Sequence, residues 1–453
     1  MEKTLLKNSL ENLEEVISRT LNINKNILND ELSYRSIKEW DSLGHINLLL
    51  QIEEEFNIII EEDVRDKLVT FADIKNVVLY NNAPTEDLLI NKCDSNKISR
   101  GLANVNLDYT SISEIDGKNG RLSYRGIDID ILVESFTYEE VVYLLLYKKL
   151  PSENELLDFK NEIIKSQSLS DEIKNIILML KDKSIFDVLQ VVLVMLKSET
   201  DDLSDVNKAR TIMAKFPMII AYYYHCKTND QEERVPSNNL SYSGNLFYLI
   251  TGKIPTLEES KIIDRILILH AEHSSNASSF VARVTTSTEA DFHSALVAAL
   301  SAFSGCLHGG AIEGVVEMVE EIGEVSNVRY YVEDKLKRSQ PIMGFGHRVY
   351  QTLDPRAKWM KDDLLKLCIR NNSLKDYRIL DELTKNMKPY IGKGMDINVD
   401  FYASMIYSNL GFSKDVFLSL FATGRMAGWC AHIIEQKSNN ILIRPLLKYK
   451  VEG

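Results

Sequence analysis

The residues best suited to chemistry in this sequence lie in the string GFGHRVYQTLDPR, Gly344 to Arg356. It sets His347 after a glycine-rich turn and Arg356 nine residues later, with an Asp-Pro break before an apolar-periodic run. A histidine and an arginine held in this way can bind an oxyanion and a carboxylate of one small acid. The alternative is structural, a loop-to-helix junction whose Gly and Pro only make a turn.

Further strings that carry histidine, aspartate or arginine surround this one in the chain. They are HAEHSSNASSF (270–280), GCLHGGA (305–311), GMDINVDFY (394–402), LDYTSISEIDGKNGRLSYRGIDI (107–129) and LFATGRMAGWCAHIIEQ (420–436). In order and spacing they resemble citrate synthases over residues 100–453. The resemblance implies an all-α fold with a large subdomain and a smaller one, roughly residues 308–405, that closes to exclude water.

The resemblance also implies a reaction, in which an acyl thioester condenses with oxaloacetate or a similar 2-oxo diacid. Hydrolysis of the thioester then gives citrate or an alkylcitrate. Asp400 would be the base, His308 the donor to the enolate oxygen, and His347 the donor to the 2-oxo carbonyl. Desolvation in a closed site would make Asp400 a stronger base. Without the resemblance, Asp400 is typical of a helix start, where the dipole stabilises an aspartate.

The two carboxylates of the diacid need cationic partners. By resemblance Arg356 and Arg425 supply bidentate clamps, and His273 and Asn276 contact the same substrate. Arg444 matches a family arginine that reaches into the neighbouring subunit's site, which implies a homodimer with Arg444 acting in trans. Its structural alternative is a surface arginine near a terminal tail.

Residues 1–82 form a separate acidic module, with 16 Asp and Glu against 9 Lys and Arg. Apolar residues recur there at helical spacing, from Leu10 to Leu21, Ser42 to Phe56 and Phe71 to Tyr80. Length, acidity, helix order and the DSL string resemble acyl carrier proteins, which are four-helix bundles. In that family the serine, here Ser42, carries 4′-phosphopantetheine, added by a phosphopantetheinyl transferase. The alternative makes Ser42 only a helix N-cap.

Between the two modules, residues 83–99 are polar and aperiodic, which is typical of a linker. From Arg100 onward the pattern is mostly helical, as in Tyr138 to Leu146, Glu153 to Lys165 and Ala290 to Phe303, and short strands are expected near Gly120–Tyr124. The whole chain has 453 residues, 45% of them hydrophobic, and a net charge of −13 without a basic tract. That charge argues against nucleic acid as a partner. No apolar run is long enough to span a membrane, and the N-terminus lacks a signal-peptide core, so a cytoplasmic location is expected.

Metal or disulfide chemistry is not expected. The five cysteines are widely scattered without a CxxC pair, as in proteins from reducing compartments. His270 and His273 are spaced as metal ligands on a helix could be, but no third ligand at a suitable spacing is evident.

Three positions depart from the family pattern. Cys306 stands where the family usually has proline, Ile312 where it has asparagine, and Gln351 where a cation helps to bind coenzyme A phosphate. A carrier-bound thioester lacks the nucleotide part of coenzyme A. Our hypothesis is therefore that the acyl donor arrives on Ser42-phosphopantetheine, in cis or in trans. Arg348 and Lys358 are nearby cations that could compensate, so a coenzyme A thioester stays a possible donor.

Other functions are compatible with the same residues. A citryl-thioester lyase would stabilise the same enolate in the cleavage direction, and a 2-methylcitrate synthase would differ only in its acyl group. A non-catalytic scaffold with a carrier docking module is the alternative that is not an enzyme. The intact set His308, His347 and Asp400 argues against it.

Overall fold

The computed structural model describes most of the chain. The described residues are 2–30, 32–34, 36–37, 39–40, 42–56, 58, 60, 68–80, 100–102, 105–230, 232–338, 340–346, 349–350, 352–391 and 396–449. His347, Arg348, Gln351 and the predicted linker 83–99 lie outside them. The chain divides into two compact units, Met1–Val105 and Asn106–Gly453, and each is described by itself.

The N-terminal unit is a small helical body with its own core. Its helices are α1 (Glu2–Leu21), α2 (Ser42–Phe56) and α3 (Phe71–Tyr80), with a 3-10 turn at Lys25–Ile27. All three helices contribute to one buried apolar cluster, which includes Leu13, Val16, Ile17, Trp40, Leu48, Ile52, Ile74 and Val78. The helices predicted at 42–56 and 71–80 are confirmed. The likeness to a four-helix carrier bundle stays a prediction, because the described residues supply three helices.

The second unit begins with a small antiparallel sheet, and most of its other described residues are helical. Strands β1 (Ser113–Asp116), β2 (Arg121–Tyr124) and β3 (Ile127–Asp128) pair in that order. Ser113 lies opposite Tyr124, and Asp116 opposite Arg121. The turn is closed by the Asp116 carboxylate, which accepts hydrogen bonds from the backbone of Lys118 and Asn119. Strands were predicted near Gly120–Tyr124, and the structure confirms them.

The helices of the second unit follow the sheet in chain order. They are α4 (Ile129–Ser135), α5 (Tyr138–Tyr147), α6 (Glu153–Ser166), α7 (Asp171–Met179), α8 (Ile185–Met195), α9 (Lys197–Thr200), α10 (Asp205–Thr228), α11 (Tyr242–Thr251), α12 (Leu257–Ala271), α13 (Ala277–Ser287), α14 (Phe292–Phe303), α15 (Ala311–Ile322), α16 (Val328–Lys337), α17 (Pro355–Arg370), α18 (Leu374–Met387), α19 (Asp400–Asn409) and α20 (Lys414–Ser438). Within the described ranges, none of the helices combines the length and apolar character that a membrane crossing requires.

Local sequence signals explain where many of these helices begin. Helices α5, α6, α8 and α12 each start with a capping box, in which a Ser or Thr and an acidic residue three positions later satisfy each other's backbone groups. The pairs are Thr137 with Glu140, Ser152 with Glu155, Ser184 with Asp187 and Thr256 with Glu259. The helices predicted from residues 138 and 153 accordingly begin as expected.

Helix α20 is the centre of the second unit. It is buried over most of its 25 residues and packs against α10, α12 and α13. A Cβ on Gly428 would lie 2.3 Å from the Ala271 carbonyl oxygen, and one on Gly424 would lie 3.0 Å from that of Leu267. These glycines therefore let the end of α12 approach α20 closely. Helices α15 and α17 pack on α19, and α16 and α17 on α18; the smaller subdomain proposed for this stretch stays a prediction.

Candidate active site

The described site residues lie at helix ends or on the central helix of the second unit. His273 and Asn276 lie between α12 and α13, His308 between α14 and α15, Arg356 and Asp400 at the starts of α17 and α19, and Arg425 in α20. Helix ends carry backbone donors and acceptors without intrahelical partners. This placement therefore combines buried side chains with polar backbone groups.

The Asp-Pro break before Arg356 is both a helix start and a buried ion pair. The Asp354 carboxylate caps α17 by accepting the Arg356 N–H, and Pro355 occupies the first helical position. Arg356 also donates from Nε and Nη2 to both Asp354 oxygens, at 2.9 and 2.7 Å. Although burial opposes it, Asp354 raises the pKa of Arg356 above its ordinary value. This edge of the guanidinium is therefore used within the chain.

Arg425 is the second buried cation of the site. Its Nε donates to the His270 carbonyl oxygen at 2.6 Å, and its guanidinium lies 5.3 Å from the centre of the Phe421 ring. Burial lowers the pKa of Arg425 to about 10; Glu272 opposes this shift, and the nearby Arg356 adds to it. Two buried cations that repel each other create a strong preference for an anion near both.

Asp400 lies beside this arginine pair at the first residue of α19. Burial raises the pKa of Asp400 to about 7, against the effect of Arg356 and Arg425 and with that of Asp354. The side chain is only 8% exposed, and its Oδ1 accepts no hydrogen bond from the described residues. A carboxylate of this kind is a stronger base than one in water.

A short strand-like contact brings the glycine turn of the first string next to Asp400. Phe345 forms an isolated antiparallel bridge with Ile397. The N–H of Asn398 donates to the Gly344 carbonyl oxygen at 3.0 Å. Gly344 has a φ of 79°, and a Cβ there would lie 2.6 Å from the Phe401 ring. Only glycine suits both the conformation and the close approach. His347 follows this turn, and its own position lies outside the described residues.

His308 is held as a neutral imidazole by the start of α13. Its Nε2 lies 3.2 Å from the backbone nitrogen of Ser278 and 2.8 Å from the Ser278 hydroxyl. A backbone N–H can only donate, so Nε2 is the acceptor and the ring proton is assigned to Nδ1. The indole of Trp429 donates to the same hydroxyl at 3.0 Å. A Cβ on Gly309 would lie 2.5 Å from the Phe303 carbonyl oxygen, so this turn also requires glycine.

The two residues predicted to contact the diacid from the loop before α13 differ in their surroundings. His273 is buried, and its Nε2 lies 3.3 Å from the Tyr350 hydroxyl. Asn276 is the N-cap of α13, where its Oδ1 accepts the Ser279 N–H at 3.2 Å and lies 2.8 Å from the Ser278 hydroxyl, whose single proton is shared between Asn276 and His308. In this structure Asn276 therefore orients the serine that contacts His308.

Two further predicted site residues belong to other parts of the chain. Arg444 is exposed on the segment after α20, and no hydrogen bond or ion pair joins it to the described residues. Ser42 is the first residue of α2 in the N-terminal unit, and its side chain is not among those that the structure describes.

The spacing of His270 and His273 does not produce a metal centre. The His270 ring packs 3.7 Å from the Phe421 ring, centre to centre, and its Nδ1 lies 3.3 Å from the Tyr407 hydroxyl. Burial, with Arg356 and Arg425 nearby, lowers the pKa of His270 well below its ordinary value. Within the described part of the chain, no group of three His, Cys, Asp or Glu side chains is arranged to hold a metal ion.

A model of the family described as "Citrate synthase, C-terminal domain" matches residues 101–446. The chain belongs to the citrate synthase family. A citrate synthase of Synechocystis sp. is 38% identical over 364 residues, which are 79% of this chain and 91% of that protein. A 2-methylcitrate synthase of Shewanella oneidensis is 32% identical over 361 residues, 79% of this chain and 96% of that protein.

Solved structures of the citrate synthase family have the same fold. Citrate synthase from Thermotoga maritima is 39% identical with a TM-score of 0.72, covering 79% of this chain and 98% of its own. The enzyme of Thermoplasma acidophilum, solved with carboxymethyl coenzyme A and oxaloacetate, is 31% identical with a TM-score of 0.75, covering 79% and 97%. This chain is accordingly an enzyme of the citrate synthase type, a transferase.

Two of the departures from the citrate synthase pattern are visible in the structure. Cys306 is exposed in the turn before His308. Ile312 is fully buried in the core of the second unit, where an apolar side chain packs without needing a polar partner. Gln351, the departure on which the carrier hypothesis depends, lies outside the described residues.

Sequence reasoning missed four residues that support this citrate synthase site. They are Glu272, Ser278, Tyr350 and Trp429. All four lie inside the strings quoted for the family, and the cap spacing from Asn276 to Ser279 could have marked the helix start next to Ser278. Trp429 and His308 are far apart in sequence, so no local pattern could reveal their shared contact with the Ser278 hydroxyl.

Proposed function

We propose that the protein condenses an acyl thioester with oxaloacetate or a similar 2-oxo diacid and then hydrolyses the product to citrate or an alkylcitrate. One observation carries this proposal. The buried Asp400 has a pKa of about 7 and lies beside the buried cations Arg356 and Arg425. A strong base next to a dianion site suits deprotonation of a thioester and capture of the resulting enolate by a charged acceptor.

The proposed steps use three side chains. Asp400 removes a proton from the carbon next to the thioester carbonyl. His308 donates from Nδ1 to the enolate oxygen, a role suited to a neutral imidazole, because its N–H stabilises charge without transferring a proton. His347 donates to the 2-oxo carbonyl as the carbon–carbon bond forms. Water then cleaves the thioester and releases the thiol.

The diacid is proposed to bind through Arg356, Arg425, His273 and Asn276. The Nη1 group of Arg356 and the Nη groups of Arg425, whose Nε is used by the His270 carbonyl oxygen, are proposed to bind the carboxylates. The Thermoplasma acidophilum enzyme, crystallised with oxaloacetate, supports the choice of diacid. The relatives include citrate and 2-methylcitrate synthases, so both acetyl and propionyl groups are candidates.

A direct assay tests the reaction. Purified protein is incubated with oxaloacetate and either acetyl or propionyl thioester, and the products are identified by mass spectrometry. Formation of citrate or methylcitrate with release of one thiol per product supports the proposal. If the protein instead converts a citryl thioester to oxaloacetate and forms no free citrate, it is a lyase. An Asp400→Asn variant with unchanged turnover would contradict the proposed base.

We also propose that the active protein is a homodimer in which Arg444 acts in the partner's site. The segment that carries Arg444 exposes the apolar side chains of Leu442, Leu446, Leu447 and Tyr449. A run of this kind favours a contact with a second copy. Mixing separately inactive Arg444→Leu and Asp400→Asn chains should restore part of the activity, because one hybrid site is intact. No recovery in hybrids that do form would exclude action in trans.

For the N-terminal unit we propose an acyl carrier function with 4′-phosphopantetheine on Ser42. Supporting it are the position of Ser42 at the start of α2 and the separate apolar core of the unit. The chain would be co-expressed with a phosphopantetheinyl transferase and its intact mass measured, with Ser42→Ala as control. A mass increase on the unaltered chain alone supports attachment. Turnover of acyl-coenzyme A that is the same in both chains would contradict the carrier-bound donor.

A further inference from the structure

A chain of buried polar side chains leads from the candidate site towards the sheet. Glu272 follows the last residue of α12 and is fully buried. Its Oε1 lies 3.0 Å from His432 Nε2 and accepts a hydrogen bond from the Ser113 hydroxyl at 3.0 Å. The same hydroxyl accepts the Ser274 N–H at 3.2 Å. One carboxylate oxygen thus joins α20, strand β1 and the loop that carries His273.

The neighbours of His432 fix the direction of these hydrogen bonds. Arg283 donates from Nε to His432 Nδ1 at 2.8 Å, and a guanidinium can only donate. The proton of His432 is therefore on Nε2, and it is donated to Glu272. Arg283 is anchored in turn by Gln436, at 3.2 Å, and by Glu435. Glu272 is consequently the last acceptor in the series of hydrogen bonds from Arg283 to His432 to Glu272. Moving the His432 proton to Nδ1 would break the hydrogen bond from Arg283.

The other oxygen of Glu272 faces α20 between His432 and Arg425. A Cβ on Gly428 would lie 2.4 Å from Oε2, which places this oxygen against the helix at that residue. Gly428 lies three residues after Arg425 and four before His432, so the three share one helix face. Oε2 accepts no hydrogen bond from the residues that the structure describes. Arg425 is the cation on that face, and it acts on Glu272 through its charge, without a hydrogen bond or ion pair between the two side chains.

We propose that Glu272 is a positioning residue, whose carboxylate is oriented by His432 and Ser113 and holds the Arg425 guanidinium in place for the substrate. The inference rests on the proposed role of Arg425 in binding the diacid. Burial alone would raise the pKa of Glu272, but His432, Arg425 and Ser113 together lower it, so the group is ionised at neutral pH. It supplies the negative charge that a buried arginine needs before an anionic substrate arrives.

Glutamine cannot replace this carboxylate, although it has the same shape. If its amide oxygen accepts from His432, its NH2 group faces the Arg425 side, where a second donor opposes a cation. If the amide is turned round, NH2 meets the Nε2–H of His432. Either arrangement leaves one end of the side chain without an acceptor, and the position of Arg425 becomes less defined.

The test is steady-state kinetics of Glu272→Gln together with a matched control. We expect KM for oxaloacetate to rise about tenfold, with kcat and KM for the acyl thioester changed by less than about twofold. The control is Glu139→Gln on α5, the same change at a carboxylate that is 3% exposed and accepts the Tyr242 N–H at 2.9 Å. It should lower Tm without raising KM for oxaloacetate. Equal kinetic effects of the two variants would mean that Glu272 is only structural, and the inference would fail.

Two further variants keep the outcome decisive. Ser113→Ala removes one donor from Glu272, and we expect it to raise KM for oxaloacetate about threefold. A KM equal to that of the unaltered enzyme overturns the inference even if Glu272→Gln does not fold. Arg425→Lys tests the proposed role of Arg425 in binding the diacid. If this variant leaves KM for oxaloacetate unchanged, that role is wrong. If Arg425→Lys raises that KM and neither Glu272→Gln nor Ser113→Ala does, only the inference on Glu272 is wrong.

Discussion

The guanidinium of Arg356 donates two hydrogen bonds, at 2.9 and 2.7 Å, to the carboxylate of Asp354 two residues earlier. Both side chains are almost completely buried. Asp354 caps α17 with one of the same oxygens. The residue that begins the helix therefore also neutralises the arginine that the helix carries into the site. Arg425 has no such partner two residues away, and Glu272 is the carboxylate that opposes the effect of burial on its pKa.

Replacing Asp354 with Asn should destabilise the protein most when no diacid is bound. Asn keeps an oxygen for the helix cap, but it leaves Arg356 without a counter-charge, and loss of one partner of a buried ion pair costs about 3–5 kcal/mol. Urea unfolding should move to lower concentrations, and added oxaloacetate should restore more stability than it does in the unaltered enzyme. The matched control is Asp363→Asn, which breaks the pair that the buried Asp363 forms with the half-buried Arg265. A variant as stable as the unaltered enzyme would contradict the expected role of this pair.

The pH profile should report the ionisation of Asp400. Since the base must be deprotonated, kcat/KM should rise with pH through about 7, the pKa to which burial raises this group. Loss of a general base usually costs about 10²–10⁴ in rate, so Asp400→Asn should lose activity by that order. Asp376, also with a raised pKa but outside the site, provides the control substitution to Asn. A profile of the free enzyme that is flat between pH 5 and 8, roughly the range around this pKa, would refute the assignment.

The same raised pKa predicts that Asp400 reduces stability at neutral pH. The folded protein binds this proton more tightly than the unfolded chain does. The protonated carboxyl therefore contributes its full stabilisation below the ordinary pKa of 3.8, and this stabilisation is lost as pH rises through about 7. The difference between these two pKa values corresponds to a change of roughly 4 kcal/mol, at most, in the free energy of unfolding. Asp400→Asn should therefore unfold at a higher urea concentration than the unaltered enzyme at pH 8, and show little difference at pH 4. If the variant were instead more stable than the unaltered enzyme at pH 4 and not at pH 8, the folded protein would ionise Asp400 without an energetic penalty, which would contradict this prediction.

The His308 tautomer predicts a specific effect of Ser278. Ser278→Ala removes the hydroxyl 2.8 Å from Nε2 but keeps the backbone N–H that fixes the ring. A hydrogen bond of this kind contributes about 1 kcal/mol, so kcat should fall about fivefold with KM values unchanged. Nitrogen-15 shifts should report the Nδ1–H form in both proteins, and Ser278→Thr should retain most activity. An Nε2–H form would show that the ring is turned.

The fold was largely predictable because helix periodicity and caps are local. Helices at 42–56, 138–147 and 153–166 were predicted within one residue at each end. The helix predicted from Ala290 begins instead at Phe292, because the Asp291 carboxylate caps it by accepting the N–H groups of His293 and Ser294. Short strands near Gly120–Tyr124 were also predicted.

The sequence motifs named the candidate site residues, whose roles stay a prediction, but they did not indicate the contacts that those residues make. Arg356 was expected to use a bidentate edge on the substrate, and the structure commits one edge to Asp354, a partner that looked like a helix break in the sequence. Glu272 and His432 are 160 residues apart. Only packing of α12 on α20, through Gly424 and Gly428, brings such residues together. Neither hydrophobic periodicity nor motif spacing in the sequence indicates that α12 packs closely on α20.

Tyr350 supplies the last prediction, because its hydroxyl lies 3.3 Å from His273 Nε2 and is buried with it. Burial raises the pKa of Tyr350, so it stays protonated at neutral pH and can orient the imidazole. Tyr350→Phe removes a contact of about 0.5–1.5 kcal/mol, so KM for oxaloacetate should rise about two- to tenfold. The value of kcat should change less than about twofold, since His273 is expected to bind substrate rather than transfer protons. Tyr223→Phe is the control, because its buried hydroxyl donates to the Lys183 carbonyl oxygen at 2.7 Å, away from the site. Equal KM values for oxaloacetate in the two variants would show that Tyr350 does not orient His273 for diacid binding.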